Sequence, residues 1–140
     1  MTARKSGRGR VVLLDTNAFL SLNVEPDRIN AEVRERLAQL STGLIVSAAS
    51  AWEVAIKVRQ GKLPGGDRLV ESWSQSLRDL QAEALSIDAE DAIRAGGLRW
   101  AHRDPFDRML VAQALRYNYP LVTSDATIIG ARIATTIDTR

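Results

Sequence analysis

Four acidic residues stand where predicted strands end or predicted helices begin. Asp15 follows the apolar run Val11–Leu14, and Asp125 comes just after a fourth apolar run. Glu53 lies in the first turns of the helix after the second strand, and Asp107 lies in the first turn of a later helix. Because ligands of open α/β sheets bind beyond the carboxyl ends of the strands, we expect these acids to converge there.

Each acid also has a structural alternative. Asp15 and Asp125 fit helix caps, and Glu53 fits a capping box that starts at Ser50. Asp107 would be favoured by the positive end of its helix dipole. For any one residue taken alone, the structural role is the stronger interpretation.

The apolar surroundings of Glu53 and Asp107 favour a chemical role. Glu53 is flanked by Trp52 and Ile56, and Asp107 lies on a helix that is apolar nearly all round. A buried carboxylate without a partner is costly, and the basic side chains nearby are too few for four acids. The chain has no cysteine and one histidine, so oxygen ligands and a hard cation, Mg²⁺ or Mn²⁺, are expected.

The elements that must position these acids alternate between strand and helix. This order predicts a three-layer α/β/α fold with a mainly parallel sheet of four to five strands. Helices are predicted from Asp67 to Leu80 and from Pro105 to Tyr119, the latter capped by Asp104. The strands are predicted at 11–14, 44–46, 84–87, 121–123 and 133–137.

Composition indicates one globular domain with a basic arm before it. The chain has 140 residues, of which 45% are hydrophobic and 26% charged. Residues 1–10 hold four basic side chains and no acid, so residues 11–140 carry 15 basic and 17 acidic groups, a net charge of −2. We expect the arm 1–10 to be disordered and 11–140 to form the domain. No run approaches the roughly 20 apolar residues of a membrane span, so a cytoplasmic location is expected.

Four segments together resemble a known family. They are Val-Leu-Leu-Asp-Thr-Asn at 12–17, Ser-Ala-Ala-Ser-Ala-Trp-Glu-Val-Ala-Ile-Lys at 47–57, His-Arg-Asp-Pro-Phe-Asp-Arg-Met-Leu-Val-Ala-Gln-Ala-Leu at 102–115 and Leu-Val-Thr-Ser-Asp at 121–125. In this order they resemble the PIN-domain ribonucleases, specifically the VapC-type toxins of bacterial toxin–antitoxin pairs. The resemblance extends from Val11 to about Ile137, and the basic arm is not part of it.

The resemblance implies a site, a substrate and partners. The implied substrate is RNA, commonly tRNA or rRNA, and the implied partners are a second copy in a homodimer and a cognate VapB-type antitoxin that covers the site. An acidic quartet that binds Mg²⁺ or Mn²⁺ carries over to Asp15, Glu53, Asp107 and Asp125. Hydrogen-bonding support of the site carries over to Thr16, Asn17, Thr123 and Ser124.

These residues suggest metal-assisted hydrolysis of a phosphodiester. Asp15, Asp107 and Asp125 would hold the metal that activates a water, and Glu53 would complete the shell or orient that water. Asp104 is left outside the first shell because helix capping explains it.

Substrate contacts have less distinctive patterns. A structural hydrogen bond is the stronger interpretation of His102, and the core is the stronger interpretation of Trp73. Trp52 and Trp100 remain open between stacking on bases and structural roles. Phosphate contacts are possible at Arg103, Arg108, Lys57, Arg59 and Lys62, with solvated surface charge equally open.

Two other functions compete with this one. Aspartyl-phosphate phosphatases also place an acid after the first strand, but they use a second acid two residues on, where this chain has Asn17. The other alternative is a catalytically inactive PIN-like module that binds RNA or protein. Acids at all four positions argue against that loss of activity.

Overall fold

The computed structural model describes residues 10–140, so residues 1–9 of the predicted basic arm lie outside the described residues. Within residues 10–140, five parallel strands form one sheet in the order β3-β2-β1-β4-β5. The strands are β1 (Val11–Leu14), β2 (Gly43–Ser47), β3 (Ala82–Leu85), β4 (Leu121–Thr123) and β5 (Thr136–Asp138). The predicted parallel α/β sheet is confirmed.

Helices cover both faces of this sheet. They are α1 (Thr16–Val24), α2 (Ala31–Ala38), α3 (Ala48–Arg59), α4 (Gly66–Glu71), α5 (Trp73–Asp79), α6 (Ala89–Gly97), α7 (Pro105–Tyr117) and α8 (Ala126–Ala131), with a 3₁₀ turn at Pro26–Arg28. No helix within residues 10–140 combines the length and the apolar character that crossing a bilayer requires.

The central strand β1 contributes to two hydrophobic cores, one on each face of the sheet. Val12 and Leu14 join a core with Phe19 of α1, whereas Leu13 joins the opposite core with Leu110 of α7. Successive strand residues point to opposite faces, so a continuous apolar run fits a strand that is covered on both sides. The three-layer arrangement follows directly from that burial.

Four local predictions were wrong. The third strand is Ala82–Leu85 rather than 84–87, and the fifth is Thr136–Asp138 rather than 133–137. The single helix predicted from Asp67 to Leu80 is interrupted at Ser72, whose hydroxyl donates to the Arg68 carbonyl 2.7 Å away. Helix α3 begins after Ser47, which accepts a hydrogen bond from the Ala49 N–H, so the predicted capping box at Ser50 is absent.

The register brings three strand ends to one edge of the sheet. Leu14 of β1 pairs with Val46 of β2 on one side and with Val122 of β4 on the other. The Asp15 N–H then donates to the Val122 carbonyl at 3.0 Å, which extends the pairing by one residue. The side chains that follow β1, β2 and β4 therefore meet at the same edge.

Candidate active site

Asp15 caps helix α1 and is also buried. Its carboxylate accepts a hydrogen bond from the Ala18 N–H at 2.7 Å and caps α1, as its sequence position predicted. The residue is 5% exposed, at the end of the central strand. A capping role therefore does not exclude chemistry, because a carboxylate that accepts one hydrogen bond retains further oxygen lone pairs.

Thr123 links Asp15 to Asp125. The Thr123 hydroxyl, buried at the end of β4, hydrogen-bonds to the Asp15 carboxylate and accepts from the Asp125 N–H at 3.0 Å. One oxygen of Asp125 accepts from the Thr127 and Ile128 N–H groups at 2.8 and 3.2 Å, which caps α8. Both aspartates are thus held in place by backbone and hydroxyl donors.

Asp107 lies in the first turn of α7, beside two further polar side chains. The Nε2 atom of His102 is 2.7 Å from one Asp107 carboxylate oxygen. Asp104 caps α7 by accepting from the Phe106 and Asp107 N–H groups at 2.9 and 3.1 Å, as predicted. The start of this helix therefore presents two carboxylates and an imidazole together.

The electrostatics couple three of the four acids. The pKa of Asp15 is raised to about 6, chiefly by burial and also by the negative charges of Asp107 and Asp125, while the hydrogen bonds from Thr123 and Ala18 oppose the rise. Burial also raises the pKa of Asp107, with Asp104 and Asp125 adding to the rise and His102 opposing it. Asp15 and Asp107 are therefore harder to ionise, in part because other carboxylates are near.

Glu53 is placed differently. Its side chain is 15% exposed, and its carboxylate lies 3.3 Å from the Lys57 Nζ atom one turn along α3. The structure thus assigns Glu53 an ion pair with Lys57. It does not assign Glu53 to the electrostatic group formed by the three aspartates.

The closest set of candidate metal ligands differs from the predicted quartet. Within residues 10–140, ligand atoms of His102, Asp104 and Asp107 all lie within 4.8 Å of one another, and Asp15 and Asp125 stand outside this group. The oxygen-rich donor set with one imidazole fits a hard or borderline divalent cation such as Mg²⁺ or Mn²⁺.

The predicted supporting residues divide into two groups. Thr16 donates to the Ser50 hydroxyl at 2.9 Å, and because both residues are buried this contact ties α1 to α3. Thr16 and Thr123 are thus the buried residues that support the site. Asn17 is exposed and Ser124 half-buried, and both line an open groove beside α1.

Of the residues predicted to contact phosphate, some are already paired within the protein and others are exposed. Arg108 donates all five guanidinium N–H groups to the backbone carbonyls of Ala95, Gly96, Leu98, Trp100 and His102. No donor remains for a phosphate, so we correct the prediction for Arg108 to a structural role in holding the segment before α7. Arg103 is exposed, and Lys57 is paired with Glu53. Arg59 and Lys62 are exposed as well.

The three tryptophans have three different surroundings. Trp73 packs on Phe19 with ring centroids 4.8 Å apart, which confirms its predicted place in the core. Trp100 lies 4.8 Å from the His102 ring, and Trp52 is 59% exposed beside Phe106. The hydrogen bond predicted for His102 is its contact with Asp107. The contact of Ser50 with Thr16 was not predicted from the sequence.

Known proteins match this chain in sequence and in fold. A family model described as the PIN domain matches residues 12–132. The chain is 36% identical over 62 residues to Ribonuclease VapC16 of Mycobacterium tuberculosis, a match that spans 44% of this chain and 43% of that protein. The shared stretch is thus less than half of the relative's length.

Solved structures show the same fold at low sequence identity. The fold matches VapBC2 from Rickettsia felis, solved with a promoter DNA fragment, with a TM-score of 0.70 at 16% identity over 93% of this chain and 99% of that one. It matches FitAcB from Neisseria gonorrhoeae with a TM-score of 0.62 at 22% identity over 91% and 97% of the two chains.

Proposed function

This chain belongs to the PIN domain family, and on that premise we propose that it is a metal-dependent endoribonuclease that acts as the toxin of a toxin–antitoxin pair. The substrate would be RNA, with tRNA or rRNA as the expected class. The reaction would be hydrolysis of an internal phosphodiester bond.

The observation that carries the proposal is the electrostatic coupling of Asp15, Asp107 and Asp125. A buried carboxylate whose pKa is raised to about 6 by desolvation and by two neighbouring acids is unfavourable for the isolated fold. Such perturbed groups concentrate at functional sites, where a cation or substrate relieves the repulsion. A divalent cation among the three aspartates would do so.

The residues that would hold Mg²⁺ or Mn²⁺ are Asp15, Asp107 and Asp125, with Glu53 completing the shell or orienting a water. When bound, the cation would supply Lewis acidity, lowering the pKa of a water and offsetting charge on the phosphate oxygens. His102 and Asp104 lie close enough to Asp107 to join or adjust this arrangement.

The remaining residues of the site position the carboxylates. Thr123 orients Asp15 through its hydroxyl and fixes the Asp125 backbone through its oxygen. His102 orients Asp107, since the 2.7 Å contact restricts rotation of that carboxylate. Thr16 and Ser50 hold α1 against α3, which sets the distance between Asp15 and Glu53. Preorganised groups of this kind reduce the reorganisation that the reaction requires.

We extend the proposal to the partners. The matched solved structures include VapBC2 and FitAB, each solved with a DNA fragment. By analogy, a VapB-type antitoxin would cover the site, and two copies of this chain would form a homodimer in the cytoplasm. A groove beside α1 supports such docking, because it begins at Asn17 and Ser124 and is lined by the apolar side chains of Leu20, Val24 and Leu69.

The proposal is tested by incubating purified protein with total bacterial RNA in Mg²⁺ or Mn²⁺ and mapping the new 5′ ends. We expect cutting at a few defined positions that EDTA abolishes. Asp15→Asn should abolish cutting, whereas the matched control Asp79→Asn, on an exposed side chain of α5, should leave it unchanged. Cutting that persists in EDTA or in Asp15→Asn would contradict the proposal. No cutting by folded wild-type protein would favour the catalytically inactive binding module.

A further inference from the structure

An apolar pocket lies beside the candidate active site, between α3, α6 and α7. Its volume is about 250 Å³, and its walls include Ala49 and Trp52 of α3, Ala95 of α6, and Phe106 and Met109 of α7. The walls from α3 and α7 belong to the same helices that carry Glu53 and Asp107. A molecule in this pocket would contact Trp52 and Phe106, the residues next in sequence to Glu53 and Asp107.

Trp52 forms an exposed aromatic wall of this pocket. Its side chain is 59% exposed, although a tryptophan contributes most to stability when it is buried. The Phe106 ring meets it edge-on, with centroids 5.0 Å apart and planes at 81°. This contact fixes the orientation of the indole while leaving much of its surface open, as a stacking platform requires.

Arg103 adds a positive charge at the rim of the same pocket. Its side chain is exposed, and within residues 10–140 the structure gives its guanidinium no ion pair and no hydrogen bond. The other arginine of the pocket, Arg108, has all its donors committed to backbone carbonyls. An aromatic platform with one available guanidinium is complementary to a nucleotide, whose base is apolar on its faces and whose phosphate is anionic.

We propose that this pocket binds an unpaired nucleobase of the RNA, stacked on Trp52, with the adjoining phosphate held by Arg103. The inference rests on the proposed function and deepens it, because it assigns a specificity site to the substrate. A base inside a duplex presents no open face, so the pocket selects single-stranded segments such as loops.

The test measures RNA binding separately from cleavage. Single-stranded hexaribonucleotides are titrated into the full chain in EDTA, with Trp52→Ala and Trp52→Phe as variants. We expect Trp52→Ala to weaken binding about ten-fold or more, since stacking on an aromatic ring is lost. Trp52→Phe should retain most of the affinity. Ile93→Ala is the matched control, because Ile93 is 74% exposed on α6 and does not line the pocket.

The arginine is tested in the same assay through its salt dependence. Arg103→Gln should weaken binding to all sequences. It should also make the fall of log affinity with log salt concentration less steep, reducing the magnitude of that slope by about one. Arg99→Gln is the control, because Arg99 is an exposed arginine of the same segment that does not line the pocket. With Mg²⁺ present, Trp52→Ala should raise KM for RNA and leave kcat nearly unchanged.

Three results would overturn the inference. The first is that the wild-type protein binds no hexaribonucleotide, and the second is that the Trp52→Ala protein binds it as tightly as wild type does. The third is that the Trp52→Ala protein has half the molar mass of wild type in solution. The last would mean that a second copy of the chain covers this face. Binding is measured without metal, so the binding assay reports on stacking and the cleavage assay reports on nuclease activity. Failure of this inference is therefore distinguishable from failure of the proposed function.

Discussion

The imidazole Nε2 of His102 lies 2.7 Å from a carboxylate oxygen of Asp107, one of the three electrostatically coupled aspartates. The contact opposes the rise in the pKa of Asp107 that burial causes. It also predicts that His102→Ala weakens Mn²⁺ binding about ten-fold or more, because partners that orient a metal ligand commonly have effects of that size. Isothermal titration with Mn²⁺ measures the change, and equal affinity in His102→Ala and wild type would contradict it.

The Thr123 hydroxyl should matter more than its small size suggests. Thr123→Val preserves the shape but leaves the half-buried Asp125 N–H without its acceptor and removes a donor from Asp15, so we expect a loss of about 1–3 kcal/mol in the free energy of unfolding. Thr123→Ser should retain most of that free energy because the hydroxyl remains. Urea unfolding of both variants checks this. A Thr123→Val protein as stable as wild type would show that the hydrogen bonds of the Thr123 hydroxyl contribute nothing to the free energy of unfolding.

Asp15 should lower the stability of the metal-free protein. Its pKa is raised from 3.8 to about 6 on folding, so the folded state binds the proton more tightly and ionisation destabilises it. The penalty is absent below about pH 4 and fully present above about pH 6, where it reaches at most about 3 kcal/mol. Asparagine is also a good helix cap. Asp15→Asn in EDTA should therefore be more stable than wild type at pH 7, with the difference shrinking towards pH 4.

Thermal unfolding across this pH range measures the effect of Asp15. Adding Mn²⁺ should raise the Tm of wild type and not of Asp15→Asn, because only a ligand that binds the folded state stabilises it. An Asp15→Asn protein that is less stable than wild type at pH 7 in EDTA would contradict this prediction.

Arg108 should be a stability residue. Arg108→Lys cannot reproduce five N–H donors in a planar fork, so the carbonyls before α7 lose partners and we expect a loss of about 2–4 kcal/mol. Arg103→Gln should leave the free energy of unfolding unchanged, since its side chain is exposed. Chemical denaturation compares the two. Equal stability of the Arg108→Lys protein and wild type would refute the structural role.

Much of the fold was predictable because the strongest sequence signals are local. The run Val11–Leu14 could be buried on both faces only in a covered parallel sheet, and Asp104 followed by Pro105 marked the start of α7. The position of Asp15 at the end of the central strand followed from the same run.

Features that depend on distant contacts were not predictable. Ser47 and Ser50 are both suitable caps for α3, and the choice between them depends on where β2 stops pairing. The carbonyls that Arg108 contacts come from residues 6 to 13 positions earlier, so their convergence depends on the path of the loop. The interruption at Ser72 depends on how α4 and α5 pack, since the apolar spacing continues through it.

The central claim is that the three coupled aspartates hold the cation that makes this protein a nuclease. The most direct test titrates Mn²⁺ into wild type and Asp107→Asn while recording metal binding and RNA cleavage on the same samples. We predict that the wild-type cleavage rate rises with the same half-saturation as metal binding, and that Asp107→Asn loses both while its Tm in EDTA is retained. Cleavage by Asp107→Asn at the wild-type rate, or cleavage at full rate before any metal binds, would contradict the claim.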